Sequence, residues 1–229
     1  MIKVIIKKIK ELYYRLSAFF LTTKDPLTNL SDRSGLKKFK AIKVNGEVAS
    51  VVFLDLDNFK KINDSLGHQF GDIFLKEFAD LLKREVRNRD ILIRWGGDEF
   101  IVILFNASDK EAKSFISRIK LKTDQIDITR RKDYISLKES VKDFPEEEIK
   151  KRAKEFGVSG GFSKIEDDIS KAISFADQRM YEDKNYKKND KDFPERKKVK
   201  EIIANETGFD KAEIIVQNLE EEGYLLFEE

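Results

Sequence analysis

The chain has 229 residues, 40% hydrophobic and 38% charged, enough for one ordinary domain with appendages. Its 45 basic and 43 acidic residues nearly cancel, which gives no electrostatic reason to expect a nucleic-acid partner. The lack of cysteine excludes disulfides, thiolate zinc sites and cysteine nucleophiles, and a single histidine argues against a histidine metal centre.

In chain order, residues 1–22 come first. Ile2, Ile5, Ile9, Leu12, Leu16 and Phe19 alternate in steps of three and four, an a/d seam opposite Lys3, Lys7, Lys10 and Arg15. Three readings fit this amphipathic helix: packing on its own domain, dimerisation as a short coiled coil, or peripheral contact with an anionic membrane. The segment is broken by Lys7, Lys8, Lys10 and Glu11, unlike a signal peptide. No apolar run reaches the roughly 20 residues that span a bilayer, so a cytoplasmic protein is expected.

Ser31 is placed to cap a helix from about Asp32 to Lys40. The apolar run from Val48 to Leu54 predicts a strand buried on both faces. Residues 58–65 read as a helix, 66–71 as a glycine-bearing loop, and Ile73, Phe74, Phe78, Leu81 and Leu82 as a helical stripe ending near Val86. A strand hairpin over 91–105 and a helix from about Asp109 to Lys120 follow. Residues 122–155 are highly charged, with a helix start at Pro145 and the three glutamates after it. A strand over 156–163 and a helix from about Asp168 to Lys187 come next. Beyond Pro194, the tail 191–229 reads as two short helical faces and a strand. Six Lys/Arg against eleven Asp/Glu there, a balance of −5, favour packing or a protein contact over DNA.

The chemistry gathers at two acidic clusters. Gly96-Gly97 forms a hairpin tip, because glycine supplies positive φ and leaves the backbone open to a ligand. Asp98 and Glu99 follow at once, as hard oxygen ligands for Mg²⁺. The buried strand ends in Asp55-Leu56-Asp57, with Asp55 and Asp57 on one face. If the two strands are neighbours, Asp55 and Asp98 converge, and such carboxylates stay ionised together only around a cation.

The sequence resembles the GGDEF-domain diguanylate cyclases, which condense two GTP into cyclic di-GMP. The matching stretches are Asp25-Pro26-Leu27-Thr28 with Leu30 and Arg33, Asp55 to Asp64 with Gly67-His68 and Gly71-Asp72, Gly96-Gly97-Asp98-Glu99-Phe100, Val158 to Gly161, and Ala176-Asp177 to Tyr181 with Lys184. They cover about residues 24–190, between the N-terminal helix (1–23) and the appendage (191–229). The resemblance implies an α/β domain like polymerase palms and nucleotidyl cyclases, with a mostly antiparallel sheet flanked by helices.

It also implies roles. Asp55, the carbonyl of Leu56, Asp98 and Glu99 match the ligands of two Mg²⁺ ions, for which Mn²⁺ can substitute. Asp98 is the residue named to assist hydroxyl deprotonation, with Glu99 and Asp55 completing the catalytic set. Asn63 and Asp72 match guanine-contacting positions, although Asp72 alone also reads as a helix N-cap. Phe59 and Lys60 match positions near the phosphates, Gly67 and Gly71 line the nucleotide pocket, and His68 supports that loop. Lys184 matches a triphosphate-binding lysine. The family's Gly-Arg-Asn becomes Lys187-Lys188-Asn189, so Lys188 keeps the charge without the arginine fork. Asn29 replaces a common glycine, and asparagine tolerates left-handed backbone. Arg87 and Asp90 match a product-inhibition motif, Arg-x-x-Asp. The expected partners are GTP, cyclic di-GMP and a second copy of the chain in a homodimer. Two alternatives share these motifs: a non-catalytic cyclic di-GMP receptor, and a cyclase making another cyclic dinucleotide.

Overall fold

The computed structural model describes residues 23–34, 49–140, 145–166 and 168–192. Residues 1–22, most of the helix expected over 32–40, and the appendage beyond Asp192 lie outside the described residues. The chain divides into two units, Met1–Tyr181 and Glu182–Glu229.

Among the described residues of the first unit, five strands form one sheet in the order β1-β3-β4-β2-β5. They are β1 (Ser31–Asp32), β2 (Ala49–Asp57), β3 (Ile91–Gly96), β4 (Glu99–Phe105) and β5 (Gly157–Ile165). Only β1 and β3 run parallel; the other pairs are antiparallel, as expected. The helices are α1 (Phe59–Leu66), α2 (His68–Glu85), α3 (Asp109–Thr123), α4 (Lys132–Ser140), α5 (Glu146–Glu155) and α6 (Ile169–Asp192).

Strand alternation sends side chains to two faces, and each face has its own core. Val52, Leu54, Leu56, Phe100 and Val102 pack on one side with Ile73, Phe74 and Phe78 of α2 and with Phe115 and Ile119 of α3. Phe78 meets Phe100 edge-on at 5.0 Å, which ties α2 to the strand carrying the signature. On the other side, Val51, Phe53, Ile93, Ile101 and Ile103 pack against Ile169, Ala172, Ile173, Ala176 and Met180 of α6. A Cβ on Gly161 would overlap the α6 backbone at Ala176 and Met180, so glycine is what lets α6 lie on β5. The buried run of β2 follows from its central place between two covered faces.

Three expectations change. Ser31, expected as a helix cap, instead pairs with Ile93 in β1, and it is Asp32 that accepts the amide and hydroxyl of Ser34 at 2.8 and 2.6 Å. The loop expected over 66–71 is a single residue, Gly67 at φ 86°, between two helices. Asp72 therefore lies inside α2 and is not its N-cap. The charged stretch 122–155 is folded onto the domain: Ile128, Tyr134 and Ile149 are buried in the α2-side core. Arg131 holds it to α2, bonding Glu77 at 2.9 Å and Asp80 at 2.8 Å while also meeting Asp133 at 3.1 Å.

Candidate active site

The site begins where β2 and β4 end together. Asp55 pairs in register with Glu99 on β4 and with Ser159 on β5, so all three side chains share a face. Asp55 is 8% exposed, while Asp98 and Glu99 are half-buried. Asp98 lies in the turn one residue before that ladder begins, and its carbonyl accepts the amide of Leu56 at 3.2 Å. In extended backbone the N–H and C=O of one residue point the same way, so the Leu56 carbonyl is presented toward the hairpin turn. Asp57 accepts a 2.6 Å hydrogen bond from the Ser159 hydroxyl.

Among the described residues, no three acidic or histidine side chains are gathered into a metal cage. The site offers instead the two carboxylates Asp55 and Glu99 from adjacent strands, with main-chain oxygen beside them. That donor chemistry fits Mg²⁺, which is usually held by one or two carboxylates together with substrate phosphates and water.

The hairpin turn is held from one side. Gly97 has φ 49°, a left-handed conformation that glycine adopts without strain; Gly96 ends β3 at negative φ. The Gly97 carbonyl accepts from Arg94 Nη2 at 2.7 Å and Nε at 3.1 Å. The same guanidinium meets both oxygens of Asp25 at 3.0 Å. Asp25 also accepts the amide and hydroxyl of Thr28 at 2.7 and 2.6 Å. Burial alone would raise the Asp25 carboxyl; the Thr28 donors and Arg94 together hold it below the ordinary aspartate range. Sequence reasoning assigned Arg94 no role. Its signal was an arginine in a buried hairpin two residues before the glycines.

Asn58, at φ 61°, turns the chain from β2 into α1, and its amide donates to the Glu155 carbonyl at 2.8 Å. Phe59 is buried at the α1 N-terminus, and Lys60 beside it is exposed. One turn on, Asn63 is half-buried, and its Oδ1 is a buried acceptor with no hydrogen-bond partner. Gly71 is packed against it: a Cβ there would overlap Asn63 Oδ1 and come 3.2 Å from Phe59 Cζ. Gly71 is therefore required by a close approach within α2. Asp72 follows, half-buried, and His68 is exposed as the first residue of α2. Lys184 lies half-buried on α6 in the second unit; the Lys188 side chain is outside the described residues.

Arg87 and Asp90 flank the turn between α2 and β3. Asp90 accepts the amides of Arg87 at 2.9 Å and Phe105 at 3.2 Å, so it staples that turn to β4. Burial raises the Asp90 carboxyl more than these amides lower it. Arg87 is exposed, and with Asp90 it borders a cavity of about 290 Å³ that reaches α3.

The family model described as "Diguanylate cyclase, GGDEF domain" matches residues 22–190. The chain is 32% identical over 169 residues to the probable diguanylate cyclase DgcE of Escherichia coli, covering 70% of this chain and 14% of that protein. It is 37% identical over 103 residues to the cyclic di-GMP phosphodiesterase NbdA of Pseudomonas aeruginosa, covering 43% of this chain and 13% of that one. It therefore matches only a small part of the length of these curated relatives. The fold is that of the GGDEF domain of DgcB from Caulobacter crescentus, solved in complex with c-di-GMP: TM-score 0.59 at 23% identity, over 72% of this chain and 91% of that one. With its signature turn, its paired acidic strand ends and a family match over most of its length, the chain belongs to the GGDEF diguanylate cyclase domain family.

Proposed function

We propose that this chain is a diguanylate cyclase, condensing two GTP into cyclic di-GMP with release of pyrophosphate. The register pair Asp55–Glu99, set beside a clamped glycine turn and three residues of chain before the helix bearing Asn63, carries the reading. Asp55, Asp98 and the Leu56 carbonyl, with Glu99 beside them, would hold the divalent cations, Mg²⁺ or Mn²⁺. A metal held there would neutralise the phosphates and acidify the attacking hydroxyl.

The protein's own groups bind, orient and move the proton. Asn63 Oδ1, an acceptor left without a protein donor, suits the N1–H and N2–H₂ donors of guanine. Asp72 accepts from the same edge and selects guanine over adenine. The N-terminal amides of α1 and Lys60 favour phosphate, and by sequence match Lys184 and Lys188 are assigned to the triphosphate. Asp98 accepts the ribose 3′-hydroxyl proton as the oxygen attacks the α-phosphate of the other GTP. Each copy of the chain holds one GTP, so the productive form is a homodimer. GTP as substrate places the reaction in the cytoplasm. Cyclic di-GMP bound beside Arg87 and Asp90 feeds back on the rate.

The test is the purified chain with Mg²⁺ and GTP, alone and mixed with ATP, beside Asp98→Asn, with products identified by mass spectrometry. Cyclic di-GMP from the wild type only is the expected result. A mixed cyclic dinucleotide overturns the guanine assignment. No product, together with cyclic di-GMP binding that Arg87→Ala abolishes, favours a receptor instead; the match to a phosphodiesterase gives that second reading its footing.

A further inference from the structure

The cavity beside Arg87 is lined by both signs of charge. Arg87, Lys110 and Arg118 face Glu85, Asp90 and Glu111. Two of the three acids are committed to the backbone. Asp90 accepts the amides of Arg87 and Phe105, and Glu111 accepts the Ser108 amide at 2.8 Å in a capping box on α3. Glu85 differs. It is the last residue of α2, 12% exposed, and its partners are cations of α3. Its Oε2 accepts from Arg118 Nε at 2.9 Å, and its Oε1 accepts from Lys122. Hydrogen bonding from Lys122 and Arg118 outweighs burial and lowers the Glu85 carboxyl, so it stays ionised.

Cyclic di-GMP presents two phosphodiesters to such a cavity. Arg118, stacked 5.4 Å over the Phe115 ring at its wall, is a well-placed guanidinium for a phosphate or a guanine edge. To use it, the ligand must share it with Glu85 and bring its own negative charge near a shielded carboxylate. Like charges so placed repel, and the attraction of Arg118 is already partly quenched.

We propose that Glu85 is a built-in competitor of the product: by holding Arg118 it weakens cyclic di-GMP binding in this cavity and raises the concentration at which feedback begins. The inference rests on reading the Arg87–Asp90 cavity as the product site. The bland alternative is an ion pair that only staples α2 to α3, and the experiment separates the two.

Cyclic di-GMP binding to the full chain is measured by calorimetry at low and high salt for wild type, Glu85→Gln, Glu85→Asp, Arg87→Ala and the Glu85→Gln/Arg118→Ala double variant. Glu85→Gln should bind about 3- to 10-fold tighter, a gain that shrinks at high salt. Glu85→Asp retains the charge and should stay within about twofold of wild type. The double variant should lose the gain, since the charge freed by Glu85→Gln belongs to Arg118. Glu85→Gln binding no tighter than wild type, while Arg87→Ala abolishes binding, overturns the competitor and leaves the product site standing. Wild-type affinity in Arg87→Ala shows that this cavity is not the product site, and the inference falls with it.

Discussion

Arg94 joins Asp25 to the signature turn: one guanidinium meets both Asp25 oxygens at 3.0 Å and the Gly97 carbonyl at 2.7 Å. The pair is 13% and 17% exposed, so water contributes little to holding either charge. On the proposed chemistry, Arg94 positions the turn that leads into Asp98 and Glu99. Arg94→Lys should lower kcat about 10- to 100-fold with KM for GTP within about threefold, because an ammonium cannot span both partners at once. Steady-state kinetics check the split; a loss confined to KM contradicts the positioning role.

The same pair predicts an acid-side effect on stability. In the fold, Asp25 titrates below its ordinary value. Its contribution is therefore complete above the ordinary aspartate pKa of about 4 and disappears as pH falls through the lower folded value. Asp25→Asn should cost about 1–3 kcal/mol near neutrality, and the difference from wild type should close on acidification. Melting curves between about pH 2 and 7 test this. A constant gap across that range contradicts the titration.

The contrast between Arg94 and Phe100 shows what was legible in the sequence. The hairpin, the β2 run and the α2 stripe were readable because each is a local periodicity. The Arg94–Asp25 clamp joins residues 69 positions apart and leaves no periodic trace. Gly67 and Gly71 read together as a loop because glycine has two uses. Gly67 needs its positive φ, whereas Gly71 needs only the missing Cβ, a demand made by Asn63 from another helix. The stretch 122–155 hid its role because three anchors, Ile128, Tyr134 and Ile149, are scattered among charges.

Arg131 makes that last segment testable. Its side chain is 19% exposed and lies between three carboxylates. Burial would lower it, and Asp80, Glu77 and Asp133 more than offset this. Arg131→Ala leaves those carboxylates facing one another and should cost about 2–4 kcal/mol. Proteolysis should then enter first within residues 126–155. The cyclase rate per folded molecule should stay within about threefold, since no residue of the proposed chemistry touches Arg131. A tenfold fall in that rate instead links the segment to the site.

Asn63 sets stability against function. A buried acceptor without a donor carries a desolvation cost in the empty protein, and a bound guanine would remove it. Asn63→Ala should therefore leave the empty protein as stable as wild type or about 1 kcal/mol more stable. GTP affinity should fall about tenfold or more, because the guanine donors lose their acceptor. Gly71→Ala should weaken GTP in the same way by pushing the Asn63 side chain from its place. Thermal melts with and without GTP separate the two effects: the ligand-induced shift should nearly vanish in both variants, while the ligand-free melting point should not fall in Asn63→Ala. A ligand-free melt that drops by several degrees in Asn63→Ala, with the GTP shift intact, assigns the residue to the fold alone.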